Sequence, residues 1–307
     1  MSKKEKLKKR ILITGASGML GTTFYEIYKE LFDIVSTDIA PLDPWTQKLD
    51  VRDKKSLSSL VDKIRPDRIL NFAALTDVEY CETHPDEAYD TNAQGAENVA
   101  EVCKEYDIPM VHISTAGVFD GKKNTPYMEQ DLPNPVNIYG KAKNQGDIAV
   151  QRLLKDNFHI FRAGWMMGGF DRDKKFVKKI LEQIDQGKTN LYGLTDMFGC
   201  PTYTKDFSQG IVKMLEVAKP GLYHMVSEGN CSRFDVAKKI IDFFDFDKVT
   251  LTKVTGDFFE KDYYAPRPPF EVIVNEKIHN MGIKVMRNWE DALKSYLSEI
   301  LKRRNAK

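Results

Sequence analysis

Short apolar runs punctuate the first half of the chain: ILIT at 11–14, DIVSTD at 33–38, RILNFA at 68–73, MVHIS at 110–114 and HIFRA at 159–163. Several are apolar almost throughout, the pattern of strands covered on both faces. Between them, stretches at about 19–32, 55–64, 86–106 and 137–154 repeat apolar positions at helical spacing. This alternation predicts a doubly wound α/β domain over residues 1–163, with a parallel sheet and right-handed crossovers. After residue 163 the rhythm changes. Glycines cluster at 164, 168 and 169, then a basic helix is expected near 173–186, a strand near 190–192 and a loop at 198–204. Helices at about 204–217 and 232–244 follow. A Pro/Tyr-rich loop at 263–270 precedes a closing helix with Trp289, Leu293, Tyr296, Leu297 and Ile300 on one face. Residues 164–307 are expected to form mostly a smaller lobe over the C-terminal edge of the sheet, with segments near 190–217 returning to the first domain.

Composition narrows the choice of partners. The 307 residues carry 46 Lys+Arg against 45 Asp+Glu, a net +1, so no global field favours nucleic acid or an anionic membrane. The one local excess is the first ten residues, which hold +5 and read as a solvated tail before the first strand. No window approaches the roughly 18–20 apolar residues that cross a bilayer. A cytoplasmic protein is expected. Four scattered cysteines (Cys81, Cys103, Cys200, Cys231) fit neither a disulfide framework nor a zinc cluster, and the five histidines form no HxxxH or HxH, so no metal is expected.

The first candidate chemistry is the loop Gly15-Ala-Ser17-Gly18-Met19-Leu20-Gly21, between the first strand and the first helix. Gly15 turns the chain out of the strand, Gly18 lets backbone N–H groups approach a pyrophosphate, and Gly21 permits close helix–sheet packing. The helix N-terminus adds its dipole. The pattern is that of a Rossmann-type dinucleotide site in which Ser17, Met19 and Leu20 accompany the glycines. Asp38 ends the second strand, twenty residues beyond Gly18, where a carboxylate accepts from the adenosine ribose hydroxyls and repels a 2′-phosphate. No arginine follows within ten residues, so NAD(H) is expected in preference to NADP(H). Asp50 and Val51, before the third run, are candidates for the adenine edge.

Tyr139 and Lys143 stand four apart and share a helix face. A cation beside a phenol of ordinary pKa near 10 would bring it toward use as a proton donor. Ser114 and Thr115, ending the fourth run, offer hydroxyls to polarise a carbonyl oxygen. Tyr25 and Lys29 repeat the spacing on the first helix, so order along the chain, rather than the pattern alone, singles out Tyr139 and Lys143.

That order, with GASGMLG, LDVRD, PDRILNFAALTDVEYCE, TNAQGAENVA, ISTAGVFDG, PYMEQD, PNPVNIYGKAKNQGD, FRAGWMMGG, GCPTYTKD and GLYHMVSEG, resembles the extended short-chain dehydrogenases/reductases, most closely the dTDP-4-dehydrorhamnose reductase group. The resemblance implies reduction of a nucleotide-linked 4-keto-6-deoxysugar, a smaller substrate-binding lobe and, as a family expectation, a homodimer. It implies Tyr139 as proton donor, Lys143 as its electrostatic partner and ribose ligand, and Thr115 on the carbonyl. Ala73 and Ala74 would pass the cofactor through their backbone, and Asn92 would support the nearby loop. Ser114 and Trp165 would border the sugar, and Arg267 would meet the diphosphate. Two departures stand out: Ala116-Gly117 replaces the usual Asp-Tyr after Ser-Thr, and Phe270-Glu271 replaces Asn-Ser after Arg267-Pro268 and an extra proline. The first disfavours a 4,6-dehydratase, which needs a carboxylate pair there. A 4-epimerase keeps Thr, Tyr and Lys, and a regulatory subunit like the methionine adenosyltransferase beta subunit shares the scaffold.

Overall fold

In the computed structural model, which describes residues 8–259 and 263–306, seven parallel strands form the central sheet; most of the basic tail lies outside the described residues. The strands are β1 (Arg10–Thr14), β2 (Asp33–Asp38), β3 (Thr46–Lys48), β4 (Arg68–Asn71), β5 (Met110–Thr115), β6 (Phe158–Ala163) and β7 (Gly221–His224), in the order β7-β6-β5-β4-β1-β2-β3. The direction in which successive strands are added reverses at β1, the place where doubly wound sheets open a crevice at their carboxyl ends. β3 was not expected from the sequence: its three residues, Thr-Gln-Lys, have no apolar run, and it forms by pairing Ser36–Asp38 with Thr46–Lys48.

Alternation along each strand sorts side chains into two cores. Leu12 and Ile69 pack on one face with Leu57 and Val61 of helix α2 (Lys54–Ile64), Val99 and Val102 of α3 (Gly95–Glu105) and Val150 and Leu154 of α4 (Ile138–Leu154). Ile11, Ile13 and Leu70 face the other way, onto Leu20 and Phe24 of α1 (Met19–Tyr28) and Phe207, Ile211 and Met214 of α6 (Thr204–Val217). Each fully buried aliphatic side chain contributes roughly 1.5–3 kcal/mol, so the two layers, rather than any polar contact, carry the fold.

The helix expected near 86–106 is interrupted. Short helices Val78–Thr83 and Pro85–Tyr89 lead into a π-turn at Asp90–Gln94 before α3. A third core joins α5 (Phe176–Asp185), α7 (Arg233–Phe243) and the closing α8 (Trp289–Asn305), whose Trp289, Leu293, Tyr296 and Leu297 are buried. Asn190–Leu194 pairs there with Thr250–Val254, whereas 204–224 runs back to the central sheet as α6 and β7. Residues 198–204, expected as loop, hold Phe198–Gly199 and Pro201–Tyr203, the latter paired with Trp165–Met167. No helix among the described residues is long and apolar enough to cross a membrane.

Candidate active site

The glycine loop is shaped by the strands around it. Gly15 has φ +71°, and a Cβ there would lie 2.5 Å from the backbone N of Ala73, so β4 and the loop come together only without a side chain. A Cβ on Gly21 would lie 2.5 Å from the Cα of Ala16. Gly18 caps α1 with no side-chain hydrogen bond, leaving the N–H groups of Met19, Leu20 and Gly21 directed out of the helix. Leu20 is itself core, so its share in a site is backbone only. Asp38 lies beside this loop, taking the Ser17 N–H on Oδ2 at 3.0 Å and the Ala40 N–H on Oδ1 at 2.9 Å. A cradle that any Cβ would fill, an open helix N-terminus and a carboxylate at the end of β2 fit a dinucleotide.

Two residues expected at this end are turned elsewhere. The Asp50 carboxylate closes on the guanidinium of Arg52, two residues on, at 2.7–3.0 Å. Val51 is buried, its carbonyl held by Asn98 Nδ2 at 3.0 Å. Beyond β4, Asn92 in the π-turn grips the loop after Ala73 and Ala74: its Oδ1 accepts from Leu75 N–H and its Nδ2 donates to Leu75 C=O, both at 2.9 Å.

At the end of β5, Thr115 Oγ1 accepts the Gly117 N–H at 3.0 Å and so caps the 3₁₀ turn Ala116–Val118. With that acceptor role taken, the hydroxyl proton remains to be donated. Asn137 caps α4, accepting from Gly140 N–H at 2.8 Å, and a Cβ on Gly140 would collide with the Gly117 carbonyl oxygen. This close seating of α4 on the 3₁₀ turn puts Tyr139 against Thr115. Burial drives the Tyr139 phenol well above its ordinary range; the Thr115 hydroxyl opposes that, while Cys81, Glu271 and Asp147 add to it.

Lys143, one turn further along α4, is buried. Its Nζ donates to Ile113 C=O at 2.6 Å and lies 3.4 Å from His112 Nε2, and burial lowers its pKa to about 8, against the pull of Asp147. In this arrangement the ammonium is held on the β5 backbone.

Ser114 also departs from expectation. Successive strand residues face opposite ways, so with Thr115 at the site Ser114 points beneath it, donating to Asp147 Oδ2 at 2.8 Å. Asp147, fully buried, meets Arg162 Nε and Nη2 at 3.3 Å each. His112, 3.1 Å from Asn71 Nδ2, is held well below its usual pKa by burial and by Lys143. The second Tyr/Lys copy faces outward, with Tyr25 stacked on Trp45 and Lys29 paired with Glu26.

On the far side, Arg267 forms a two-pronged pair with Glu79 at 2.6 and 2.7 Å. The Trp165 indole N–H donates to Glu271 Oε2 at 2.7 Å. Neither glutamate was expected at the site, and Glu271 was visible only as a departure from a family pattern. No group of three or more metal-ligating side chains occurs among the described residues, and all four cysteines are buried and free.

Residues 9–302 match the family model for the RmlD substrate binding domain. The chain is 32% identical over 292 residues to the spore coat polysaccharide biosynthesis protein SpsK of Bacillus subtilis (strain 168), covering 94% of this chain and 97% of that protein. It is 32% identical to a dTDP-4-keto-6-deoxy-D-glucose reductase of Streptomyces niveus, over 92% of this chain and 95% of that protein. The structure superposes with a TM-score of 0.86 on dTDP-4-dehydrorhamnose reductase of Bacillus anthracis in complex with NADP, 31% identical over 95% of this chain and 100% of that one. A family match over residues 9–302, with relatives 32% identical over 92–94% of the chain, makes this protein a member of the dTDP-4-dehydrorhamnose reductase family of extended short-chain dehydrogenases/reductases.

Proposed function

We propose that this enzyme reduces the 4-keto group of a dTDP-linked 4-keto-6-deoxysugar, using NADH in preference to NADPH, as a cytoplasmic homodimer in deoxysugar and cell-surface polysaccharide synthesis. The observation that carries the reading is Thr115 and Tyr139 packed together at the carboxyl end of β5, two strands from the glycine cradle. Reducing equivalents come from the nicotinamide dinucleotide when it is bound. Thr115 hydrogen-bonds the keto oxygen through its hydroxyl and holds it in place. Tyr139, kept protonated by burial, delivers the proton that completes the alcohol, and the phenolate then recovers one from solvent. Lys143, as a cation, stabilises that transient phenolate and meets a ribose hydroxyl. Gly15, Ser17, Gly18, Met19 and Leu20 hold the pyrophosphate through their backbone, with Ala73, Ala74, Asp50 and Val51 lining the rest of the cofactor cleft by main-chain contact. Trp165 borders the sugar, and Arg267, aimed by Glu79, meets the diphosphate.

A regulatory subunit would have no need of an intact Thr115, Tyr139 and Lys143. The test follows NADH and NADPH oxidation with dTDP-4-keto-6-deoxyglucose, with and without a 3,5-epimerase, beside Tyr139→Phe. Turnover that falls by about 10²–10⁴-fold in the variant supports the reading; equal rates in the two proteins would remove Tyr139 as donor.

A further inference from the structure

Glu271 carries a carboxylate that the steps above leave without a task. Its backbone is fixed from both sides, since Phe198 N–H donates to Pro269 C=O and Glu271 N–H to Phe198 C=O, each at 2.8 Å. Its side chain is fixed through Oε2, which takes the Trp165 indole N–H at 2.7 Å. Trp165 is in turn held between two surfaces. The ring lies against Gly199, where any Cβ would collide with it, and the Arg233 guanidinium sits 3.5 Å from the ring centroid on a face of the indole.

The second oxygen, Oε1, has no hydrogen-bond partner among the described residues. It stands 3.5 Å from the point that a Cβ on Gly117 would occupy, and Thr115 Oγ1 stands 3.4 Å from that same point. The missing side chain of Gly117 therefore leaves a gap with the carbonyl-holding hydroxyl on one side and a carboxylate oxygen on the other. The two departures from the family pattern meet there: glycine opens the space and the glutamate lines it.

The chemistry of the substrate limits what can fill the gap. In a 4-keto-6-deoxysugar the carbons flanking the keto group carry a hydroxyl at C3 and a methyl at C5. A carboxylate oxygen set against the methyl would be desolvated with nothing in return, whereas the hydroxyl can donate to it in a charge-assisted bond. Burial raises the Glu271 pKa, opposed by the Trp165 N–H and by the charges of Arg233 and Arg267; the same positive charge of Arg233 disfavours an ammonium substituent in this place. We propose that Glu271 is a specificity-determining residue, its Oε1 accepting a hydrogen bond from the C3 hydroxyl while Thr115 and Tyr139 hold the C4 carbonyl. The assignment rests on the reading of the substrate as a 4-keto-6-deoxysugar nucleotide.

The experiment compares wild type, Glu271→Ala and the isosteric Glu271→Gln with dTDP-4-keto-6-deoxyglucose, its 3-deoxy analogue and its 3-amino analogue. Calorimetric binding without reductant is measured alongside NADH- and NADPH-linked turnover. The expected wild type prefers the 3-hydroxy over the 3-deoxy sugar by on the order of 100-fold in Kd and in kcat/KM. Glu271→Ala loses that preference, with the 3-deoxy sugar nearly unchanged, and Glu271→Gln retains part of it. Equal losses for both sugars would make Glu271 a packing residue, and no loss for either would overturn the assignment. Tighter wild-type binding of the 3-amino sugar than of the 3-hydroxy sugar would overturn it as well. Should wild type oxidise neither reductant with any probe, the reductase reading fails by itself. The binding arm still decides Glu271, because a 3-hydroxyl preference that the variants abolish supports it and an absent preference overturns it.

Discussion

Tyr139 and Lys143 are both driven toward their neutral forms by burial, with opposite consequences for the reaction. For the phenol, neutrality keeps the donated proton in place across the whole working range of pH. For Lys143, whose pKa falls from its ordinary 10.5 to about 8, neutrality removes the cation that steadies the phenolate. Activity is therefore expected to fall as pH rises through about 8. Stability moves the other way. Between pH 8 and 10.5 the unfolded chain binds the lysine proton and the folded chain does not, so raising pH through that window relieves the burial penalty. A pH–rate profile flat to pH 10, read beside thermal midpoints, would remove Lys143 from both roles. Asp38 belongs to the same scale. Its two oxygens take backbone N–H groups of Ser17 and Ala40, which aligns the carboxylate beside the loop. Asp38→Ala is expected to raise the NADPH/NADH ratio of kcat/KM by about tenfold or more, the effect of removing a like charge from a 2′-phosphate; an unchanged ratio would exclude that role.

Among the elements, α4 does most to assemble the site, since it carries Tyr139 and Lys143 on one side and Asp147 below them. Asp147 ties the helix to β5 through Ser114 and to β6 through Arg162, all of them buried. Burial raises its pKa and Arg162, Lys143 and Ser114 oppose the rise. Asp147→Ala strands the Arg162 charge in the interior and is expected to cost about 3–5 kcal/mol of stability, measurable by urea unfolding; a loss under 1 kcal/mol would show that the pair is not essential to the packing. The Tyr-x-x-x-Lys spacing was legible because helical periodicity is local. The direction of Lys143, the turning of Ser114 away from the site and the π-turn at Asp90–Gln94 were not. Each depends on a partner far along the chain, such as Leu75, whose backbone takes up the Asn92 side chain.

In the whole molecule, the loop from 263 to 275 gathers contacts from distant segments of the chain. Asn137, the cap of α4, donates to Pro266 C=O at 2.8 Å; Glu79 holds Arg267; and the Phe198 bridge holds Glu271. In the third core, the Tyr296 hydroxyl of α8 donates to the buried Asp173 at 2.8 Å. The sequence by itself determined the parallel-sheet class, the glycine loop with its helix, Asp38 at the end of β2, and the four-residue spacing of Tyr139 and Lys143 on one helix. These are written in local periodicity and in short spacings that backbone geometry enforces. Only the tertiary structure decided that Lys143 turns to the β5 carbonyl, that Asp50 closes on Arg52, and that Glu271 reaches Trp165 across 106 positions to face the gap at Gly117. Such pairings are chosen by competition among buried charges and donors that meet only once the sheet, helices and C-terminal loop have packed.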